Sequence, residues 1–204
     1  MGVKEKIFRN PELKKKLYAL LMSKYDYRPR LWFRMLALPF VYSKGKHSKI
    51  RRSVRLDLLP NNKCLIGSKT IIESHSVINN AVGDVLIGNE TIIGFSNIII
   101  GPVTIGNKVM LAQHVVLSGL NHNYEDVSLA PKDQGVSTEE IMVGDNVWIG
   151  ANAVITAGVK IGKHAIIGAG SVVTKDVPAF SIAVGSPARI IKKYDFQDRQ
   201  WKRV

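Results

Sequence analysis

The sequence predicts an all-β solenoid of stacked six-residue repeats, and three observations carry that prediction. An aliphatic residue recurs every six positions, first at Ile66, Ile72 and Ile78. After a three-residue slip it continues through Ile87, Ile93, Ile99, Ile105, Leu111 and Leu117, and later through Val143, Ile149, Ile155, Ile161, Ile167 and Val173. Four residues after most anchors the side chain is small or β-branched, as at Thr70, Ser76, Thr91, Val115, Ala153 and Ser171. Corner signals such as "IGNE", "IGNK" and "VGDN" fall between the anchors.

A period of six fits neither a helix of 3.6 residues per turn nor a simple alternating strand. It fits a coil of three hexads, each a short strand and a turn, with anchors stacked in a central aliphatic column. The small residues share the narrow interior, and Gly and Asn suit corners where positive φ is cheap. Fifteen anchors at three per coil give about five coils, on the order of 24 Å tall at ~4.8 Å per strand spacing. Ile50, Val54 and Leu56 extend the pattern as an irregular extra coil.

The expected organisation has three parts. Residues 1–49 form a basic, partly helical cap or acceptor-facing region, 50–185 the solenoid, and 186–204 a C-terminal tail. The rhythm breaks once, over residues 118–142, and a loop is expected to protrude there. Within the first part "NPELKKKLYALLMSKY" (residues 10–25) reads as a helix. Asn10 caps it, Pro11 sits in the first turn, and Leu13, Leu17, Leu20 and Leu21 share a face.

Composition narrows the function. The chain of 204 residues is 46% hydrophobic, enough for a sizeable core. Cys64 is the only cysteine, so no intrachain disulfide forms, which favours a reducing cytoplasm. The charged start "MGVKEKIFRN" does not read as a secretory signal, and "LWFRMLALPFVY" is too short and too charged to span a bilayer. Residues 1–55 hold 16 Lys and Arg against 3 Asp and Glu, whereas 56–204 hold 13 of each. The net charge of +13 is therefore local. Over residues 28–55 it accompanies short aromatic–aliphatic patches, which read either as the cap that an open solenoid end needs or as a peripheral contact with anionic membrane. No nucleic-acid-binding motif is present, so nucleic acid is not an expected partner.

Laid out in hexads, the chain resembles the left-handed β-helix acyltransferases of the hexapeptide-repeat class. The closest likeness is to galactoside, maltose and nodulation-type acetyltransferases and to capsular or colanic-acid polysaccharide O-acetyltransferases. The resemblance rests on "NHNYED" (121–126), "VGDNVWIGANAVITAGVKIG" (143–162) and "IIGAGSVVTKDVPAFSIAVGSPARII" (166–191), and covers about residues 60–195. It implies a left-handed coil, a homotrimer with sites between subunits, and acyl transfer from acetyl-CoA without a metal.

The resemblance also assigns residues. His122 in "NHN" is the general base; neutral imidazole suits removal of a proton from a sugar hydroxyl. Asn121 would orient the ring or the acceptor, and Glu125 or Asp126 would hold the second ring nitrogen. Trp148, Ala151 and Ala169 would line the coenzyme's path. Thr174, Lys175 and Arg189 would meet its adenine and phosphate end, with Lys192 a weaker member of that set. Asn97 matches an acceptor-binding asparagine, but Ile99 and Ile100 stand where acidic residues are expected. The implied function is O-acetylation of a sugar hydroxyl in surface polysaccharide or glycolipid assembly, in the cytoplasm or peripherally on the inner face of the membrane.

Three alternatives stand beside it. An acyltransferase acting on a small amine or amino-acid acceptor uses the same parts. A γ-type carbonic anhydrase shares the solenoid but needs three histidines on zinc, and the close histidine pair of that family is absent. A non-catalytic scaffold would not need His122, Trp148, Lys175 and Arg189 together.

Overall fold

The computed structural model describes residues 10–23 and 26–204. Its body is a parallel β-solenoid with three faces. The first face stacks Ser43–Lys44, Cys64–Ile66, Val85–Ile87, Val103–Ile105, Ile141–Val143 and Lys160–Ile161. The second stacks Lys49–Ile50, Ile71–Ile72, Ile92–Ile93, Met110–Leu111, Trp148–Ile149 and Ile166–Ile167. The third runs from Arg55–Asp57 through Val77–Asn79, Ile98–Ile100, Val116–Ser118 and Val154–Ile155 to Val172–Val173. Each of these stacks has six levels, the five coils of the fifteen anchors and the extra coil that holds Ile50 and Leu56. The solenoid begins at Ser43 rather than residue 50, because Ser43 and Lys44 pair in register with Leu65 and Ile66.

The anchors build the core as the period requires. Along the second face Ile72, Ile93, Leu111, Ile149 and Ile167 lie in register and are all buried. Each such side chain contributes roughly 1.5–3 kcal/mol by leaving water. The positions four residues on are interior as well, and where they are polar they serve the corners. Thr70 Oγ1 donates to the Gly88 carbonyl at 2.7 Å, and Thr91 Oγ1 to that of Gly106 at 2.9 Å. These hydroxyls satisfy carbonyls that have no strand partner.

The corner glycines differ from the expectation. In "IGNE" the left-handed residue is Glu90 (φ 56°), not Gly88. Gly88 is needed for close stacking: a Cβ there would lie 2.5 Å from the Gly106 carbonyl carbon. The left-handed corner positions go to residues such as Lys69, Ser96, Lys108 and Asn152, and also to His47, His75, His114 and His164.

At the N-terminal end, helix α1 (Pro11–Leu21) starts on Asn10, whose Oδ1 accepts from the Glu12 and Leu13 N–H groups. It ends at Leu21, short of residue 25, because the chain turns into the antiparallel pair Met22–Ser23 and Asp26–Pro29. Helix α2 (Leu31–Leu36) follows. Leu21 and Phe33 close over Leu59, making this region a cap on the first coils. The expected cap over 1–9 lies outside the described residues.

The C-terminal end is built rather than trailing. Ser181–Gly185 continues the second face, and Ala188–Asp195 and Gln200–Arg203 add two antiparallel strands. Phe180, Tyr194, Phe196 and Trp201 pack edge to face there, with centroids 4.9–5.4 Å apart. Lys202 Nζ, 2.6 Å from Asp195, also pairs with Asp198.

Candidate functional site

The break in the hexad rhythm is a projecting β-hairpin. The chain leaves the third face after Val116–Ser118, runs out as Leu120–His122, returns as Val136–Thr138 and re-enters the first face at Ile141–Val143. The two strands pair antiparallel, Leu120 opposite Thr138, Asn121 opposite Ser137 and His122 opposite Val136. Directly opposed residues share a face, so His122, Val136, Leu120 and Thr138 present one face. Asn121 points to the other. Within one chain Asn121 and His122 therefore face opposite sides of the hairpin.

Between the strands the tip is organised by Gln134. Its Nε2 donates to the Asp126 and Leu129 carbonyls at 2.8 and 3.0 Å, and its Oε1 accepts from the Asp126 N–H at 3.0 Å. Asp126 is committed as well: its carboxylate takes the Ser128 hydroxyl and N–H, which hold it below the usual carboxylate range. Glu125 accepts from the Tyr124 N–H. Neither carboxylate reaches His122, whose ring has no hydrogen bond or ion pair among the described residues. The ring is exposed.

The His122 face adjoins a groove of about 510 Å³ lined by Val136 and Thr138, by Asn61, Asn62, Ala81 and Val82 at the corners of the first two coils, and by Tyr18 of α1. The hairpin therefore leans back toward the capped end. Asn62 is braced on the Asn80 and Ala81 carbonyls. These lining residues carry no hexad or motif signal. The one clue in the sequence is the strand-like "VST" that returns to "NH" across the loop.

The residues expected along the coenzyme occupy three places. Trp148 stands outward on the second face, 46% exposed, between Met110 and Ile166. It borders a 390 Å³ hollow shared with His164, Phe180, Tyr194 and Trp201. The sequence reading missed this aromatic wall, because Tyr194 and Trp201 meet only through the pairing of the two last strands. Ala151 and Ala169 sit on successive coils at the corner between second and third faces, where the Gly170 N–H donates to the Ala151 carbonyl at 2.8 Å. Lys175 and Arg189 line one 280 Å³ hollow at the C-terminal end, adjoining exposed Thr174. Asp176 lies there too, but its Oδ1 accepts from the Lys160 N–H. The two cations at that end fit a phosphate-bearing group. Lys192 lines a different hollow with Ile190 and Arg203.

Asn97 is a correction. It is fully buried; its Nδ2 donates to the Gly94 and Ala112 carbonyls at 2.7 and 2.8 Å, and its Oδ1 accepts from the Val115 N–H at 2.7 Å. It stands four residues after the anchor Ile93, a position the repeat reserves for the interior, and does not reach an acceptor.

The model of bacterial transferase hexapeptides (six repeats) matches residues 140–175, the two coils that carry Trp148, Ala151 and Ala169. The match covers 36 of the 204 residues and shows the hexapeptide repeat there. Among relatives of this hexapeptide-repeat chain, the galactoside O-acetyltransferase of Escherichia coli K12 is 37% identical over 99 residues, 48% of either chain. A polysialic acid O-acetyltransferase of Escherichia coli O1:K1 is 39% identical over 112 residues, 53% of this chain and 36% of that one. The chain thus spans half or less of the length of these relatives. A solved N-acyltransferase from Bacillus cereus, in complex with dTDP-4-amino-4,6-dideoxyglucose and coenzyme A, superposes with a TM-score of 0.66 over 81% of this chain and 91% of that one. At 19% identity, that likeness establishes the fold.

Proposed function

We propose that the chain is an acetyl-CoA-dependent O-acetyltransferase acting on a sugar hydroxyl in the assembly of a surface polysaccharide or glycolipid. The observation that carries this reading is the placement of His122. Of the five histidines, four hold left-handed solenoid corners, whereas His122 projects on a hairpin whose face borders the 510 Å³ groove. The relatives named for O-acetylation of galactosides and polysialic acid support the acceptor class.

In this mechanism the acceptor lies in the groove, its hydroxyl against His122. The imidazole takes the hydroxyl proton as the oxygen bonds to the thioester carbonyl carbon. The carbon–sulfur bond then breaks, and the imidazolium returns the proton to the departing sulfur. The products are an acetyl ester and free coenzyme A. Transfer is direct, within a ternary complex, and no enzyme-bound acyl group is required.

Acetyl-CoA is held at the C-terminal half. Lys175 and Arg189 meet its phosphates beside Thr174, the small Ala151 and Ala169 let the pantetheine arm lie against the coils, and Trp148 flanks it. These groups and His122 lie on different faces and corners of one prism. A homotrimer brings one chain's hairpin against a neighbour's second face. The exposed outward column Ile92, Met110 and Trp148 is the apolar surface such packing needs.

Release of free thiol from acetyl-CoA tests this with a panel of simple, amino, nucleotide-linked and lipid-linked sugars. His122→Ala is expected to lower acceptor-dependent turnover by about 10²–10⁴-fold while the fold and coenzyme binding persist. Unchanged turnover in that variant would remove His122 as the base, and failure to bind coenzyme A would favour the scaffold reading.

A further inference from the structure

We propose that the outer surface of the N-terminal cap is a docking surface for an anionic lipid bilayer. Helix α2 faces two ways. Phe33 is buried against Leu21 and Leu59, yet apart from the half-buried Arg34 the rest of the helix is also apolar. Leu31, Met35 and Leu36 are 65%, 69% and 71% exposed, and Phe40 in the following turn is 88% exposed. A short helix whose exposed residues are all apolar lacks the polar face that water requires. Trp32, 43% exposed and edge-on to Phe33, is the residue type that settles at a headgroup boundary.

The charge around this patch has one sign. Residues 27–56 hold nine Lys and Arg and no carboxylate. Some of these cations have internal duties. Arg30 donates to the Met22 and Ala19 carbonyls, Arg51 pairs with Glu73, and Arg55 pairs with Asp57. Lys44, Lys46, Lys49 and Arg52 are exposed and form no ion pair among the described residues. They sit on the first coil, the rung that the cap covers.

Apolar side chains that insert, ringed by cations that meet headgroups, match the two components of interfacial binding. A protein partner is less well served, because 30 residues without a carboxylate offer no anion to its own cations. Nucleic acid would leave the apolar centre against phosphates. Docking stands the solenoid on its N-terminal end. The hairpin leaves the fourth rung, three strand spacings of ~4.8 Å from the first, or about 14 Å from the capped end. The groove, lined by Tyr18 below and Val136 above, bridges that interval. If the acyl-transfer reading holds, the acceptor is a lipid-linked saccharide whose reacting hydroxyl stands that far from the headgroups.

The test is co-sedimentation of the full chain with vesicles of phosphatidylcholine alone or mixed with phosphatidylglycerol. Binding to the mixed vesicles is expected to exceed that to neutral ones by about tenfold or more and to weaken as salt rises. The pairs Leu36→Ser/Phe40→Ser and Lys44→Glu/Lys46→Glu change exposed residues only, so circular dichroism should be unchanged. Each should weaken partition by about tenfold. Turnover with a soluble acceptor should be retained, so docking and catalysis fail separately. The proposal is overturned by absence of binding, by equal binding to neutral vesicles, or by variants that bind like wild type. It is also overturned if the apolar pair alters the oligomer mass in gel filtration, which would make the patch a contact between copies, or if duplex DNA displaces the vesicles.

Discussion

At the scale of the residue, the same side-chain type meets different demands in one repeat. His47, His75, His114 and His164 take left-handed corners with φ between 56° and 64°, whereas His122 lies on an extended strand with nothing to hold its ring. Asn97 and Asn121 divide in the same way. Asn97 spends its whole amide on three backbone groups, that of Gly94 in its own coil and those of Ala112 and Val115 in the next. Asn97→Ala leaves the Ala112 carbonyl and the Val115 N–H without their partner, while the Ser76 hydroxyl still serves the Gly94 carbonyl, a loss on the order of 3 kcal/mol. Thermal unfolding should show this loss, with the acceptor KM unchanged; an altered KM at normal stability would return Asn97 to the acceptor site.

At the scale of the element, the hairpin and the C-terminal strands are held by local bonds rather than by the core. The Lys202 ammonium, with the Asp198 and Gln197 N–H groups, holds the Asp195 carboxyl down at about 2, below its ordinary 3.8. Because the folded value lies below the unfolded one, its stabilising contribution is complete above about pH 4. It is lost as the pH falls toward 2. Lys202, raised by the same contact, contributes fully below its ordinary 10.5 and loses that contribution as the pH climbs past the folded value. Fluorescence of Trp201, which packs on Tyr194 between these strands, should change over the acid window and not between pH 5 and 9. A Lys202→Met variant should shrink the acid step, leaving the part that the Asp198 and Gln197 N–H groups supply. Asp195 stands opposite Gln200 and Lys202 opposite Lys193, so their ion pair runs diagonally across the hairpin and the spacing in sequence did not announce it.

At the scale of the whole molecule, the solenoid makes each coil the floor of the next. Cys64 lies in the second rung of the first face, 1% exposed, and burial pushes its thiol up to about 12. Thiolate is the reactive form, so a thiol reagent should label the native protein only as fast as the capped end opens. Adding denaturant should raise the labelling rate in step with loss of the first coils. Prompt labelling under native conditions would mean that the cap does not close that end. Nearest-neighbour stacking also lets the two ends differ in stability, the capped end by its packing of Leu21 and Phe33 and the far end by its aromatic strands.

The sequence by itself determined the solenoid, because a hexad period constrains every side chain to inside or outside and few chains satisfy fifteen anchors otherwise. It determined the place of the interruption and the charge asymmetry for the same reason: both are properties of order along the chain. Tertiary structure decided what that order cannot express. The pairing register of the hairpin put His122 and Val136 on one face and Asn121 on the other, and the lean of the hairpin brought them to Tyr18 and Asn62, more than a hundred residues distant for Tyr18. Lys175 and Arg189 met because a strand folded back. Repeats are written locally, whereas sites are made where segments distant in sequence converge.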